Sequence, residues 1–338
     1  SSNENAANST FTVTLSSASG VTATVDYATS NGTATASSDY TAASGTLSFA
    51  AGETTKTFTV AVLADTLDED NETVTITLSN ATQATISDST GTLTITDDDA
   101  TPSLSINDVS TSDESNTSTN MTVTLSAAAG KDVTVAYATS NNTATAGVDY
   151  TATSGTLTIS AGDTTGTIGV TVLTDSAYEV DETVTMTLSS ASNATISDAT
   201  GTFTVTDDES APTVTLTTSA TSIAENAGSS LTLTATLSTA TVADVTVTFS
   251  YTGTATRNGT DYANLSDIVI SAGATQGTSS FTPVDDSTFE GDETAIIAIA
   301  GVSGGDASES GSQAVTITIT EDDSGPSLSI NDVTTSNE

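Results

Sequence analysis

The chain has 338 residues, of which 43 are acidic and 3 are basic, and its formal net charge at pH 7 is −40. This charge repels nucleic acid and anionic membranes, so we expect neither as a partner. The sequence holds no Cys and no His, which excludes disulfides, thiol chemistry, His-ligated zinc and His-based catalysis.

The apolar residues alternate with Thr and Ser along most of the chain, and this period of two predicts β-strands with one buried and one exposed face. In chain order, the first series of predicted strands is centred on Phe11, Val13 and Leu15; Val21, Ala23, Val25 and Tyr27; Leu47 and Phe49; Phe58, Val60 and Val62; Val74, Ile76 and Leu78; and Leu93 and Ile95. A second series begins with Met121, Val123 and Leu125 and follows the same order. Turns containing Gly separate the strands, and no helix longer than one turn is expected.

The chain repeats itself with a period of about 110 residues, which is the size of a complete domain. The period is marked by an Asp-Tyr pair and by a proline that opens the first strand of a repeat: Asp39, Asp149 and Asp261, and Pro102, Pro212 and Pro326. About seven short strands per repeat predict tandem antiparallel β-sandwiches, joined end to end by very short linkers. We expect repeats at residues 1–101, 102–211 and 212–325, followed by a segment at 326–338.

Each repeat carries acidic residues at matched positions: in the Asp-Tyr pair, in a long acidic loop and in a cluster before the proline. Carboxylates that recur in both position and spacing indicate a recurring cation site. Calcium is the expected cation because it takes about six to eight oxygen ligands in a flexible cage, whereas magnesium keeps its waters and takes fewer protein ligands. The alternative is a solvated acidic surface that keeps the protein soluble without a specific site.

These features together resemble the Calx-β domain, which is named for the regulatory domains of sodium–calcium exchangers and also occurs in tandem in large bacterial surface proteins. The resemblance is carried by the Asp-Tyr pair, by Ser-Gly-Thr-Leu at residues 44–47 before Ala-Gly-Glu-Thr at residues 51–54, by the Asp-x-x-x-Glu-x-Asp/Asn-Glu loop and by the final Thr-Asp-Asp. It covers all three repeats. It implies an all-β fold of tandem seven-stranded, immunoglobulin-like sandwiches with Ca²⁺ sites clustered at one end.

The resemblance also implies a set of calcium ligands in every repeat. In the first repeat the candidates are Glu4, Asp39, Asp65, Glu69, Glu72, Asp97, Asp98 and Asp99. In the second repeat they are Glu114, Asp149, Asp175, Glu179, Glu182, Asp207, Asp208 and Glu209. In the third repeat they are Glu225, Asp261, Asp286, Glu290, Glu293, Glu321, Asp322 and Asp323.

The sequence departs from the family pattern at the start of the long loop. The family's pair of acids is intact only at Asp285 and Asp286, and its first position is Ala64 or Thr174 in the other repeats. Later in the loop, Asn71 replaces an acid that the other repeats retain. We therefore expect fewer ions per repeat than in the richest members of the family.

The two ends of the chain are in register, since Ser2-Asn3-Glu4 matches Ser336-Asn337-Glu338. The first repeat is therefore expected to lack its first strand, and residues 326–338 to form a first strand without the repeat that should follow. One explanation is a window cut from a longer array. The other is donor-strand addition, in which Leu328 and Ile330 of one copy complete the first repeat of the next, giving a head-to-tail filament.

The sequence favours a non-enzymatic, calcium-binding structural array that forms the rigid stalk of a secreted bacterial adhesin or an extracellular filament. Expected partners are copies of the chain itself, and cell-surface or matrix ligands bound through regions outside it; direct membrane insertion is not expected. The alternative is a calcium-sensing regulatory or accessory module of a larger protein. Glycoside hydrolysis by paired carboxylates is disfavoured, because the chain has no Trp and few other aromatic residues to line a glycan cleft.

Overall fold

The computed structural model describes residues 1–110, 114–115 and 118–334, so the end of the predicted final segment, residues 335–338, lies outside the described part. Every regular element in these ranges is a β-strand, which confirms the all-β sandwich expected from the alternating sequence. None of the described elements is a helix long and apolar enough to cross a membrane.

The first repeat contains seven strands in two sheets. The strands are β1 (Ser2–Asn3), β2 (Ser9–Thr14), β3 (Ala23–Asn31), β4 (Ser44–Phe49), β5 (Thr55–Val60), β6 (Glu72–Thr82) and β7 (Thr90–Thr96). Five of them form one sheet in the order β1-β7-β6-β3-β4. The second sheet consists of β2 and β5 alone. All but β1 coincide with runs of alternating apolar residues, because one face of each strand packs into the core.

The second repeat has the same five-stranded sheet but a larger second sheet. Its strands are β8 (Ser103–Ile106), β9 (Val109–Ser110), β10 (Thr119–Leu125), β11 (Val133–Asn141), β12 (Ser154–Ile159), β13 (Thr165–Val170), β14 (Ala177–Tyr178), β15 (Glu182–Ser192), β16 (Thr195–Ile196) and β17 (Thr200–Val205). The sheets run β12-β11-β15-β17-β9 and β13-β10-β8-β16. The proline at position 102 therefore precedes a strand that joins the second sheet.

The third repeat follows the second closely. Its strands are β18 (Thr213–Thr218), β19 (Ser222–Ala224), β20 (Leu231–Leu237), β21 (Ala240–Thr241), β22 (Val245–Gly253), β23 (Ile268–Ile270), β24 (Gln276–Phe281), β25 (Glu293–Ser303), β26 (Ser308–Glu309) and β27 (Ala314–Thr320). The sheets run β19-β27-β25-β22-β23 and β24-β20-β18-β26. The short strands β14 and β21 pair with each other and belong to neither sandwich sheet.

Two kinds of edge strand pair in parallel, a feature that the antiparallel pattern did not predict. A short early strand lies beside the last strand of its own repeat in all three repeats, as β1 on β7, β9 on β17 and β19 on β27. In the second and third repeats, β16 and β26 also run parallel to β8 and β18. The first of these pairings matters for the acidic residues, because it brings the start of each repeat beside its end.

The tyrosine of each Asp-Tyr pair lies in the core. Tyr40, Tyr150 and Tyr262 are each 1% exposed. In the first two repeats the tyrosine hydroxyl donates to an asparagine side chain at the end of a central strand: Tyr40 to Asn31 at 2.8 Å and Tyr150 to Asn141 at 2.7 Å. The tyrosine thereby fixes the turn that carries the neighbouring aspartate.

The described residues pack into two compact units. One contains residues 1–110, 118–172 and 183–204. The other contains residues 114–115, 173–182 and 205–334, so that the acidic loop of the second repeat packs in the same unit as the third repeat.

We predict that Asn141→Ala destabilises the second repeat by about 1–3 kcal/mol, because the buried Tyr150 hydroxyl and the Ala146 amide both donate to the Asn141 side chain, at 2.7 and 3.0 Å. Asn142→Ala is the matched control, since Asn142 is exposed and makes a single side-chain bond to Thr183. Scanning calorimetry would measure both variants. Equal effects of the two substitutions would contradict the role given to Asn141.

Candidate metal centres

The acidic residues of one repeat reach the same end of the sandwich from four chain segments. In the first repeat, Glu4 follows β1, and its amide donates to the Thr96 carbonyl at the end of β7, at 3.0 Å. The parallel pairing of β1 with β7 thus places Glu4 beside the acidic cluster at residues 97–99. The turn ending at Tyr40 and the loop before β6 supply the remaining carboxylates.

The first group of carboxylates consists of Glu4, Asp65 and Asp99, which offer oxygens that all lie within 4.8 Å of one another. Glu4 is buried, at 6% exposure, and accepts the Asp65 amide at 2.9 Å. One oxygen of Asp65 also accepts the Leu67 amide at 2.7 Å, which fixes the start of the loop. The geometry therefore holds three carboxylates close together with backbone hydrogen bonds and no basic side chain among them.

The second group consists of Asp39, Glu69 and Glu72, again with oxygens within 4.8 Å of one another. Asp39 accepts the Thr35 amide at 2.5 Å, and Asp97 accepts the Glu69 amide at 3.1 Å. The groups adjoin a small cleft of about 10 Å³ that is lined by Glu4, Asp39, Leu63, Glu69, Asp70, Glu72, Ile95 and Asp97. Carboxylate oxygens such as those that line this cleft are the ligands that a hard cation prefers.

In the second repeat, Glu114, Asp208 and Glu209 form a corresponding group within 4.8 Å. Asp207 accepts the Glu179 amide at 3.1 Å, as its counterpart does in the first repeat. Asp175 accepts the Ala177 amide at 2.7 Å. The two remaining candidates lie at positions that match Asp39 and Glu72: Asp149 is buried beside Tyr150, and Glu182 begins β15.

In the third repeat, Glu225, Glu321 and Asp322 form a group within 4.8 Å. Glu225 accepts the Asp286 amide at 3.2 Å, which repeats the contact between Glu4 and Asp65. Glu321 replaces the aspartate of the other repeats and accepts the amides of Glu290 and Gly291, at 2.5 and 2.9 Å. The two remaining candidates are Asp261, which is buried beside Tyr262, and Glu293, which begins β25.

The residues of the terminal acidic clusters, at positions 97–99 and 321–323, differ in exposure and in hydrogen-bond partners. Asp98 is exposed and accepts the Asn5 side-chain amide at 2.6 Å, and its third-repeat counterpart Asp322 accepts Asn226 in the same way. Asp323 is half-buried at the end of the third cluster. Thus Asp99, rather than Asp98, is the residue of the first terminal cluster that joins Glu4 and Asp65.

A further loop position has a structural role that the sequence did not reveal. Asn71, Asp181 and Asp292 each accept the amide at the start of the terminal cluster, at 3.0, 3.3 and 3.0 Å. An amide oxygen performs this task as well as a carboxylate oxygen. This explains why Asn71 can replace the acid at this position while the cluster keeps its geometry.

Burial and mutual repulsion raise the pKa values of several of these acids. Burial first, and then the surrounding carboxylates, raise the pKa of Glu69 to about 6 and that of Glu72 to about 7. The same causes raise the pKa values of Glu114 and Glu293 to about 7. By contrast, backbone amides from Glu290 and its neighbours lower the pKa of Glu321. The clusters therefore hold charge that the protein itself does not neutralise.

The donor set fits calcium in its chemistry. All candidate side chains offer carboxylate oxygens, and one buried oxygen of Glu209 and one of Asp323 have no hydrogen-bond donor among the described residues. A buried oxygen without a donor is costly unless another group satisfies it. A hard cation that takes several oxygen ligands supplies such a group.

The Calx-beta domain family model matches three consecutive stretches of the chain, residues 1–99, 97–209 and 207–323. No curated protein sequence matches the chain. Among solved structures, the chain is similar to CBD12 from CALX1.2, with 22% identity over 60% of this chain and 94% of that one and a TM-score of 0.30. It is also similar to the calcium binding domain CBD12 of CALX1.1, with 25% identity over 56% and 76% of the two chains and a TM-score of 0.29. The chain therefore belongs to the Calx-beta domain family, of which it contains three tandem copies.

Proposed function

We propose that the chain is a calcium-binding structural array that is exported and forms the stalk of a bacterial adhesin or an extracellular filament. Calx-beta domains are calcium-binding modules without catalytic activity, and this chain contains three in tandem. The observation that carries the proposal is the recurrence of the close carboxylate groups: Glu4, Asp65 and Asp99; Glu114, Asp208 and Glu209; and Glu225, Glu321 and Asp322. A site built into every repeat is typical of a structural array.

The residues that would hold calcium are those of the carboxylate groups. The bound ion would supply positive charge that satisfies the crowded oxygens and removes their repulsion. The chain's own contribution is to hold these oxygens in place, through the amides that Glu4, Asp39, Asp97 and Glu225 accept. In the first repeat the ligands come from both ends of the repeat, so that ion binding would tie its first and last segments together.

The stiffening of the array that we propose depends on contacts between the acidic loop of one repeat and a turn of the next. Asp68 lies in the loop between Asp65 and Glu69, and it bridges to Ala129 in the second repeat. The Gly130 amide donates to the Asp68 carbonyl at 3.1 Å, and Lys131 lies 3.4 Å from the Asp68 carboxylate. An ion that fixes the loop would therefore also fix this junction.

Copies of the chain are the partners we propose, and the first repeat has a groove that suits this assembly. In the second repeat, β8 lies between β10 and β16, and its Leu104 and Ile106 are at most 4% exposed. In the first repeat, β2 has only β5 as a neighbour, and its apolar residues are half-buried where Met121, Val123 and Leu125 of β10 are buried.

The groove lies beside β2 and is lined by apolar residues such as Phe11, Val13 and Leu15 together with Thr and Ser. It includes adjoining clefts of about 280, 70 and 460 Å³ that share residues of β2 and of the segment at residues 83–88. These two elements match β10 and the segment containing β16 in the second repeat. This match supports the proposal that the groove accepts a strand of the type of β8.

The occupant that we propose is the segment at residues 327–330 of another copy. Its sequence Ser-Leu-Ser-Ile is identical to that of β8, and Leu328 and Ile330 are 103% and 95% exposed. The register of β8 on β10 would place Leu328 opposite Leu15 and Ile330 opposite Val13. Burial of each of these side chains would contribute about 1.5–3 kcal/mol. Successive additions of this kind build an open head-to-tail filament.

We expect calcium to raise the melting temperature of every repeat, since a ligand at 100 times its dissociation constant stabilises the folded state by about 2.7 kcal/mol. Glu72→Gln should weaken this effect in the first repeat. The same variant should be more stable than the parent protein without calcium, because it removes a carboxylate that crowds Asp39. Asp163→Asn, at an exposed acid outside the clusters, is the control. Scanning calorimetry showing no effect of calcium on the parent protein would contradict the proposal.

Protons and calcium should compete for the clusters. The pKa values of Glu69, Glu72, Glu114 and Glu293 are raised to about 6–7, so in metal-free protein their contribution to stability is full below the unfolded value near 4.5. That contribution is lost as the pH rises through about 6 to 7, whereas calcium affinity increases over the same range. Metal-stripped protein should therefore melt at a lower temperature at pH 8 than at pH 5.5, and calcium should stabilise it more at pH 8. A calcium effect that is equal at both pH values would refute this competition.

For donor-strand addition, we predict that the double variant Leu328→Asp, Ile330→Asp stays monomeric in sedimentation velocity under conditions in which the parent protein associates. Ser329→Thr should associate normally, because the equivalent position in β18 is Thr215. A synthetic peptide of residues 325–334 should raise the melting temperature of the first repeat, whereas the same peptide with both aspartates should not. Equal association of the parent and the double variant would disprove the proposed role of the segment.

A further inference from the structure

The loop that carries the calcium ligands also carries a docking residue, and the two internal junctions use it in the same way. In the first unit, Asp68 bridges to Ala129. In the second unit, β14 pairs in parallel with β21, which places Tyr178 opposite Thr241. Alignment of the repeats makes Tyr178 the counterpart of Asp68 and Thr241 the counterpart of Ala129. The acidic loop of one repeat therefore pairs with the same turn of the next repeat, in the same register, at both internal junctions.

Side-chain contacts reinforce each pairing. The Lys131 ammonium lies 3.4 Å from the carboxylates of Asp68 and Asp70. At the other junction, the Tyr178 hydroxyl donates to Asp306 at 3.4 Å, and the Thr239 hydroxyl donates to the Ser176 carbonyl at 3.2 Å. The loop residue at this position therefore makes an ion pair at the first junction, through Asp68, and a hydrogen bond at the second, through Tyr178.

The third and the first repeats each carry residues that match one half of such a junction. In the third repeat the counterpart of Asp68 and Tyr178 is Phe289, whose side chain is 50% exposed. In the first repeat the counterpart of the turn at Ala129 is the turn at Ser19, and Val21, the counterpart of Lys131, is 56% exposed. Phe289 and Val21 are both apolar, whereas their counterparts at the junction between the first two repeats, Asp68 and Lys131, carry opposite charges.

Gly20 leaves open space beside the turn of the first repeat. A Cβ atom added to its counterpart Gly130 would lie 2.4 Å from the Glu69 side chain, so the glycine makes room for Glu69 at the first internal junction, whereas the other internal junction has Val242 at this position. A Cβ atom added to Gly20 would meet nothing within 4 Å. The same alignment places Glu290, which follows Phe289, at the position of Glu69.

We infer that the loop at residues 286–290 of one copy docks on the turn at residues 19–21 of a second copy, with Phe289 against Val21 and Glu290 against Gly20. This inference rests on the head-to-tail self-association proposed above and adds a second contact to it. The donor segment follows the third repeat directly, so one neighbouring copy would receive both the segment and the loop. The apolar pair would distinguish this junction from the charged and polar internal ones.

Disulfide trapping tests the docking in a chain that has no cysteine of its own. The variant Phe289→Cys, Ser19→Cys reproduces between copies the register of Tyr178 on Thr241, and a disulfide forms only if the two Cα atoms come within about 7 Å. We expect a ladder of cross-linked oligomers that forms about 100-fold faster than with Phe289→Cys, Val148→Cys, because docking raises the effective concentration from micromolar towards millimolar. Val148 is the control because it lies outside the proposed contact and, at 58% exposure, is at least as accessible as Ser19.

A charge exchange provides an independent test. Phe289→Asp should weaken self-association at least tenfold, and adding Val21→Lys should restore it, since the pair would then match Asp68 and Lys131 of the internal junction. If the double variant associates no better than Phe289→Asp alone, the pairing of these residues is wrong.

The outcomes separate this inference from the donor-strand proposal. Cross-linking at the control rate in a protein that still associates through Leu328 and Ile330 would overturn the docking contact and leave donor-strand addition standing. A protein that does not associate at any concentration tested, with or without calcium, would overturn both.

Discussion

Repulsion between carboxylates is the constraint on which this structure depends. In the first repeat, the carboxylates of Glu4, Asp65 and Asp99 offer oxygens within 4.8 Å of one another. The carboxylates of Asp39, Glu69 and Glu72 form a second group of the same kind. Two unit charges about 4 Å apart repel by about 4 kcal/mol at an effective dielectric constant near 20. The chain has only 3 basic residues against 43 acidic ones, and Lys131 contacts Asp68 and Asp70. Burial and the neighbouring carboxylates raise the pKa of Glu72 to about 7, so a proton on this group relieves part of the repulsion, and a bound cation would relieve more of it.

The fold keeps these groups together in spite of their repulsion, because backbone bonds position each segment. The parallel pairing of β1 with β7 places Glu4 beside the terminal cluster, and the same pairing recurs as β19 on β27 in the third repeat. Asp65, Asp175 and Asp286 each accept an amide two residues ahead, at 2.7, 2.7 and 2.6 Å. Each such bond occupies one carboxylate oxygen and leaves the second available for an ion.

Local chemistry explains which parts of this arrangement are readable from the sequence. Alternation of apolar residues with Thr predicts the strands, since the side-chain period of two is a local property. Recurrence of acids at the repeat period likewise predicts a site. The choice between Asp98 and Asp99 is not readable, because it depends on which of two adjacent carboxylates faces Glu4 and which turns to Asn5. Pairings between distant segments, such as β14 with β21, depend on three-dimensional packing and leave no periodic signal.

The position of Asp68 between Asp65 and Glu69 links metal binding to the junctions between repeats. Asp65 and Glu69 belong to the two carboxylate groups, and Asp68 pairs with the turn of the following repeat. Five consecutive residues cannot hold the ligands in place and leave the docking residue free, because the peptide backbone fixes their separations to a few ångströms. Tyr178 stands in the same relation to Asp175 and Glu179. Order at the carboxylate groups and order at the junction are therefore properties of one loop, and a cation that stabilised the first would also stabilise the second.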